Sequence, residues 1–242
     1  MNEETKRAFF HSSDSYSSSS TVLLHQQQQH PPRPPHHEKK KLYPILKQSC
    51  SSLSPTTIEL SGRGPCALVN LAERDKMGAP GYQEFKADEL RTAESGGVRA
   101  IIIAGEAFGV ASNVRTLTPT HFIHFIMAPE SELSQPIPEG WATFVYTLKG
   151  TGHFGGARAG AHHTLALSNE RGENGLKVVA SSQGCEFMLV SGRPIGEPIV
   201  QHGPFVMTSK RDIQQAFMDF QSGTNGFETA PMWRSHIGSR CN

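Results

Sequence analysis

The stretch Gln135-Pro-Ile-Pro-Glu-Gly-Trp-Ala-Thr-Phe-Val-Tyr-Thr-Leu-Lys-Gly150 carries the strand from which the fold is read. Between Thr143 and Leu148 the apolar residues Phe144, Tyr146 and Leu148 recur every second position and share one face, the repeat of an extended chain. Outward from this strand, the sequence after about Gly97 consists of short apolar runs separated by Gly, Pro and Asn turns. That is the pattern of a β-sandwich or barrel. Val98 to Ile103 is rich in branched residues, and His121 to Met127 alternates less cleanly. Further strands are expected at Thr164 to Leu167, Leu176 to Ala180, Glu186 to Val190 and Pro198 to Gln201. One helix is expected near the end: Ser209 and Asp212 form a capping-box-like start, Ile213, Phe217 and Phe220 recur at i, i+4 and i+7, and Gly223 or Gly226 stops it. The expected fold class is all-β, a barrel with a carboxy-terminal helix.

The chain has 242 residues, and nearly all its low-complexity sequence precedes about residue 60. A serine tract, the run Gln26 to Gln29, the cluster His30-Pro-Pro-Arg-Pro-Pro-His-His37 and Glu38-Lys-Lys-Lys41 bury too little apolar surface to offset the entropy of ordering. Residues 1–60 are therefore expected to form a disordered tail. The P-x-x-P element and Lys39 to Lys41 are low-specificity matches to an SH3 or WW ligand and to a basic import signal. With 23 Lys plus Arg against 22 Asp plus Glu, no global charge favours wrapping nucleic acid or coating an anionic membrane. No continuous apolar signal region opens the chain, and no run approaches the roughly 20 residues that span a bilayer. Cys50, Cys66, Cys185 and Cys241 form no C-x-x-C pair, which argues against a zinc ribbon or a dense disulfide framework and for a reducing, intracellular setting.

The quoted segment resembles the start of the second cupin of the pirin family, and other segments match in the same order. These are Glu197-Pro-Ile-Val-Gln-His-Gly-Pro-Phe-Val-Met207, Asn225-Gly-Phe-Glu228, Trp233-Arg-Ser235, Ala104-Gly-Glu-Ala107, Thr118-Pro-Thr120 and His162-His163. Val69-Asn-Leu71 and Tyr82-Gln-Glu84 resemble the linker that enters that domain. The resemblance implies a cupin-type barrel, or jelly roll, over residues 97–242, with 61–96 similar to the end of the preceding cupin. It further implies a two-barrel parent whose first barrel holds iron in three histidines and one glutamate, a barrel that this sequence largely lacks. Arg115, Leu117 and His124 depart from the family pattern, which has a tyrosine, an arginine and an acid there.

A metal-binding cupin carries H-x-H-x-x-x-E where two imidazoles and a carboxylate meet one ion. Aligned on the Gly-aromatic step, those positions fall on Pro136, Pro138 and Ala142, and the last ligand falls near Val178. None of these side chains has a lone pair to offer, so no metal, cofactor or catalytic residue is expected. His121 and His124, three apart on a strand, should point to opposite faces. Adjacent His162 and His163 face the same difficulty unless a turn relaxes it, and they remain weak metal candidates. Gly150-Thr-Gly-His-Phe-Gly155 formally matches G-x-G-x-x-G, but no helical pattern follows, so it reads as a turn between strands. Cys185 reads as an inert core thiol.

Three functions follow as expectations from the resemblance. One is a non-catalytic interaction module, a transcription cofactor of nucleus and cytoplasm that binds nuclear regulators of the nuclear factor κB and nuclear factor one types, without direct nucleic-acid or membrane contact. Another is a quercetin 2,3-dioxygenase, which would need the iron. The third is a truncated, divergent copy with little function, whose inter-cupin face would be exposed and prone to self-association.

Overall fold

The computed structural model describes residues 8–12, 23–24, 56–61, 64–78, 83, 85–230 and 232, with side chains described from residue 69 onward. The chain forms two compact units, one of residues 1–18 with Ala87–Pro194 and one of residues 19–86 with Ile195–Asn242. In chain order, the amino-terminal elements are β1 (Ala8–Ser12), β2 (Leu23–Leu24), β3 (Thr56–Ser61), β4 (Gly64–Val69) and the single-turn helix α1 (Glu73–Lys76). Apart from β1, β2 and most of β3, the expected tail over 1–60 lies outside the described residues.

The first unit is the barrel. It contains β5 (Arg91–Ser95), β6 (Val98–Ala104), the short hairpin β7 (Glu106–Ala107) and β8 (Val110–Ala111), β9 (Thr120–Met127) and β10 (Glu132–Pro136). It continues with β11 (Ala142–Phe154), β12 (Ala157–Ala159), β13 (His163–Leu167) and β14 (Gly175–Gly192). The main sheet runs β1-β13-β11-β14-β9-β6-β5, with β10 on β14 and β12 on β11. All of its pairings are antiparallel.

The strand expected as two pieces, 176–180 and 186–190, is one continuous 18-residue strand. β14 pairs with β10 through its first residues and with β9 through Cys185–Gly192, while β11 follows both parts. The polar Ser181-Ser-Gln-Gly184 reads as a break in sequence, yet here it is where the strand bends. The ladder between β11 and β14 is irregular at Gly150. There Gly150 and Gly184 both take positive φ, 70° and 73°. A Cβ on Gly150 would lie 2.1 Å from the Gly184 carbonyl oxygen, and one on Gly184 would lie 2.5 Å from that of Met127. Only the lack of a side chain lets three strands pass this closely.

The barrel interior is filled by alternate residues of these strands, among them Ile102, Ile123, Phe125, Val145, Phe154, Leu165, Val178, Phe187 and Leu189. Phe187 is at its centre, with ring centroids 5.3 Å from Phe125 and 5.1 Å from Phe154. On β11 the apolar face Phe144, Tyr146, Leu148 is half-buried, and the fully buried face is Thr143, Val145, Thr147. The two threonines can enter the core because their hydroxyls are bonded there: Thr143 Oγ1 is hydrogen-bonded to Ser191 Oγ at 2.7 Å, and Thr147 Oγ1 donates to the Gly160 carbonyl. β5, read from sequence as linker, is an edge strand of the barrel. Its residues are exposed apart from the half-buried Ala93, so it carries no alternation to read.

The second unit ends with the hairpin β15 (Val200–His202) and β16 (Phe205–Met207) and the helix α2 (Lys210–Ser222). Ser209 caps α2 by accepting a hydrogen bond from the Asp212 N–H, and Gly223 closes it in the left-handed conformation. Within its own unit α2 packs on a core formed by Phe205, Met207, Ile213, Ala216 and Phe227. The helix stripe is shifted from the expected one: Ile213 and Ala216 are buried, whereas Phe220 is nearly half exposed at the edge of an aromatic cluster with Phe205 and Phe227.

Candidate functional site

A cavity of about 700 Å³ opens in the barrel unit where hairpin β7–β8 faces the free edge of β10. Glu106, Phe108, His121, Gln135, Pro136 and Pro138 are among its lining residues. β9 supplies His121 from the strand face that also buries Ile123, Phe125 and Met127, so the imidazole belongs to the inner side of the barrel wall. Its ring lies 5.1 Å from that of Trp141. Its Nδ1 is buried with no hydrogen-bond partner among the described residues. Burial lowers the imidazole pKa, against a smaller opposing pull from the Glu106 carboxylate, and leaves the ring neutral at neutral pH.

Gln135 is the buried polar residue of β10, only 2% exposed. Its amide nitrogen donates to the carbonyls of Glu106 and Pro136, both at 3.0 Å, and so ties the strand edge to the β7–β8 hairpin. Sequence reasoning passed over Gln135, Glu106 and Trp141. A single glutamine has no motif, and its partner Glu106 is 29 residues away in the chain.

The four positions aligned with cupin metal ligands do not converge. Pro136, Pro138 and Ala142 are exposed, because β10 and its continuation bury the alternate residues Leu133, Gln135 and Ile137. Val178 is fully buried in the apolar core. Among the described residues no three His, Cys, Asp or Glu side chains are grouped to hold a metal ion. At the cavity, His121 and Glu106 make two donors, short of the three histidines and one glutamate that iron takes in the resemblance, so the cavity does not fit that ion.

His124 lies on the face of β9 opposite His121, as the strand repeat requires. Its Nε2 meets Glu186 Oε1 at 2.9 Å, while Lys149 Nζ donates to Glu186 Oε2 at 2.8 Å. The hydrogen bond to His124 and, secondarily, that to Lys149 hold the Glu186 carboxyl down at about 2. A carboxyl lowered by folding stabilises the fold above its ordinary pKa, and that contribution disappears as pH falls through the folded value. Glu186→Gln is therefore expected to cost about 1 kcal/mol at pH 7, an allowance for water screening of a partly exposed network. The difference from the parent should shrink between pH 4.5 and pH 2 in urea unfolding followed by circular dichroism.

His162 and His163 sit at a turn. His162 takes a positive φ of 62°, and its N–H donates to the Thr147 carbonyl at 2.7 Å. The His163 N–H donates to Thr147 Oγ1, and its Nδ1 lies 2.9 Å from the Ala161 carbonyl. The pair thus belongs to a backbone knot, with no third donor grouped beside it among the described residues. The glycine-rich run 150–155 enters a hairpin in which Phe154 pairs with Ala157, and no helix follows. Cys185 is a buried free thiol whose pKa burial raises to about 11. Among the described residues no helix is long and apolar enough to cross a membrane.

The barrel is of the cupin class, and the solved quercetin 2,3-dioxygenase from Acinetobacter baumannii superposes with a TM-score of 0.59 at 27% identity, over 65% of this chain and 55% of that one. Residues 122–226 match the Pirin C-terminal cupin domain. A pirin-like protein of Solanum lycopersicum is 46% identical over 171 residues, 69% of this chain and 58% of its own length. Pirin of Homo sapiens is 41% identical over 175 residues, 71% of this chain and 60% of its own. The chain belongs to the pirin family of the cupin superfamily. It spans about three-fifths of the length of these relatives.

Proposed function

We propose that this chain is a non-catalytic, pirin-like interaction module, a cofactor of nucleus and cytoplasm that binds nuclear transcription regulators. One observation carries the reading. The positions at which a metal-binding cupin presents imidazole and carboxylate hold Pro136, Pro138, Ala142 and Val178, and the nearby donors His121 and Glu106 are too few for iron. Without a redox metal this barrel has no means of joining O₂ to a flavonol, so the activity named for the Acinetobacter neighbour is not assigned to it. What remains is the folded surface, and recognition there would be insensitive to metal.

The purified chain, grown with excess iron, is expected to contain far less than one iron per molecule by plasma mass spectrometry and to leave quercetin intact under O₂. It is also expected to bind a purified regulator of the nuclear factor κB or nuclear factor one type equally well with and without a chelator. Stoichiometric iron accompanied by quercetin loss would restore the dioxygenase reading, and failure to bind any such regulator would remove the cofactor reading. Size-exclusion chromatography of the same sample reads out the self-association proposed for an exposed inter-cupin face.

A further inference from the structure

Residues 70–77 precede the barrel in the chain but belong to the unit that also holds residues 195–242, which follow it. Two contacts seat them there. Ala72, at the head of the single turn α1, has no side chain that caps it. Glu197 supplies the missing acceptor from 124 residues away, its Oε2 taking a hydrogen bond from the Glu73 N–H at 2.7 Å. Met77, directly after α1, packs against the core that Phe205, Met207, Ile213, Ala216 and Phe227 form on hairpin β15–β16, helix α2 and the chain beyond. Between the two anchors Lys76 is only 6% exposed, and its Nζ donates to Asn70 Oδ1 of the same segment.

Lys76 works against this seating. Burial draws its ammonium down to about 8, outweighing the attraction of the Glu197 and Glu73 carboxylates, so the charge is better placed in water. One turn of helix has little stability of its own, and with a buried charge it opens more readily than a strand in the barrel ladder. Release also uncovers apolar surface. The core already meets solvent at Phe220, 45% exposed with its ring against Phe205 and Phe227, and losing Met77 enlarges that surface. We propose that residues 70–77 are a releasable strap, docked on a seat made by Glu197 and the core between β15–β16 and α2. The seat fits one turn of chain that presents an N–H to the carboxylate and a methionine to the core, and the chain's own segment is its occupant.

Hydrogen exchange of the full chain, read by mass spectrometry over residues 69–78, tests the strap. Glu197→Ala removes the anchor and is expected to speed exchange there about tenfold. Lys76→Met keeps the reach of the side chain without its charge and is expected to slow exchange, with the barrel strands unchanged in both variants. A labelled peptide of residues 69–78, followed by fluorescence anisotropy, tests the seat. It is expected to bind the full chain carrying Met77→Asp, whose own strap is displaced, at least about tenfold more tightly than the parent, and to lose that binding when Glu197→Ala is added. The exchange arm changes nothing in the core, so it decides the matter if Met77→Asp does not fold. Unchanged exchange in Glu197→Ala, faster exchange in Lys76→Met, or a peptide that does not prefer a folded Met77→Asp chain would each overturn the proposal.

Discussion

Gly150→Ala is expected to abolish stable folding of the barrel. The residue is in the left-handed region, which alone costs a non-glycine about 1–2 kcal/mol. The larger cost is contact: the new methyl would lie 2.1 Å from the Gly184 carbonyl oxygen and 3.0 Å from the Cys185 Cα. Neither atom is the tip of a flexible side chain. Relief requires parting β11 from β14 at the point where β14 also approaches Met127 of β9. A combined cost above about 3 kcal/mol is a large share of the 5–15 kcal/mol typical of a folded domain. Urea unfolding monitored by circular dichroism should show a lost or strongly lowered transition. Gly196→Ala is the control: φ is also positive, at 71°, but nothing lies within 4 Å of the added carbon. It should cost only about 1 kcal/mol. Similar losses for the two variants would mean that conformation, and not the crossing of strands, sets the demand for glycine.

Phe187→Ala is expected to be the most costly truncation within the core, at about 3–5 kcal/mol. The side chain is fully buried and contacts Phe125 and Phe154, which belong to different strands. Its removal takes away one aromatic surface and leaves two others facing a void, so the transfer and cavity penalties add. Phe187→Leu refills part of that volume and should recover a good part of the loss. Equilibrium unfolding of both variants provides the test. A loss under about 1 kcal/mol for the alanine variant would show that the surrounding aromatics collapse into the space.

The strands whose pattern is local were legible in the sequence. Val98 to Ile103 and Thr164 to Leu167 emerged almost as read, and the cap and stop of α2 at Ser209 and Gly223 emerged at the expected residues. What failed depended on partners distant in the chain. Thr143 and Thr147 take the buried face of β11 because Ser191 and Gly160 meet their hydroxyls, and apolarity alone pointed to the face of Phe144 and Tyr146. Ser181 to Gly184 looked like a gap because a bend within a ladder and a break between strands share the same polar composition.

The site was legible in the same partial way. Alternation separated His121 from His124, and the aligned ligand positions were recognised as carbon. Their burial was not foreseen, since Pro136 and Pro138 are exposed while Gln135 is buried. A one-residue change of parity on a strand exchanges its two faces, so an alignment by residue name alone leaves burial open.

The unbroken course of β14 has a further consequence. One segment of chain is a neighbour of β10 beside the cavity, of β9 that carries His121, and of β11 that carries Glu186's partner Lys149. The rim of the cavity and the Glu186 network thus share one strand, joined through the bend at Ser181–Gly184. Whatever enters the cavity lies beside a strand, β10, that is held in place by the first half of β14.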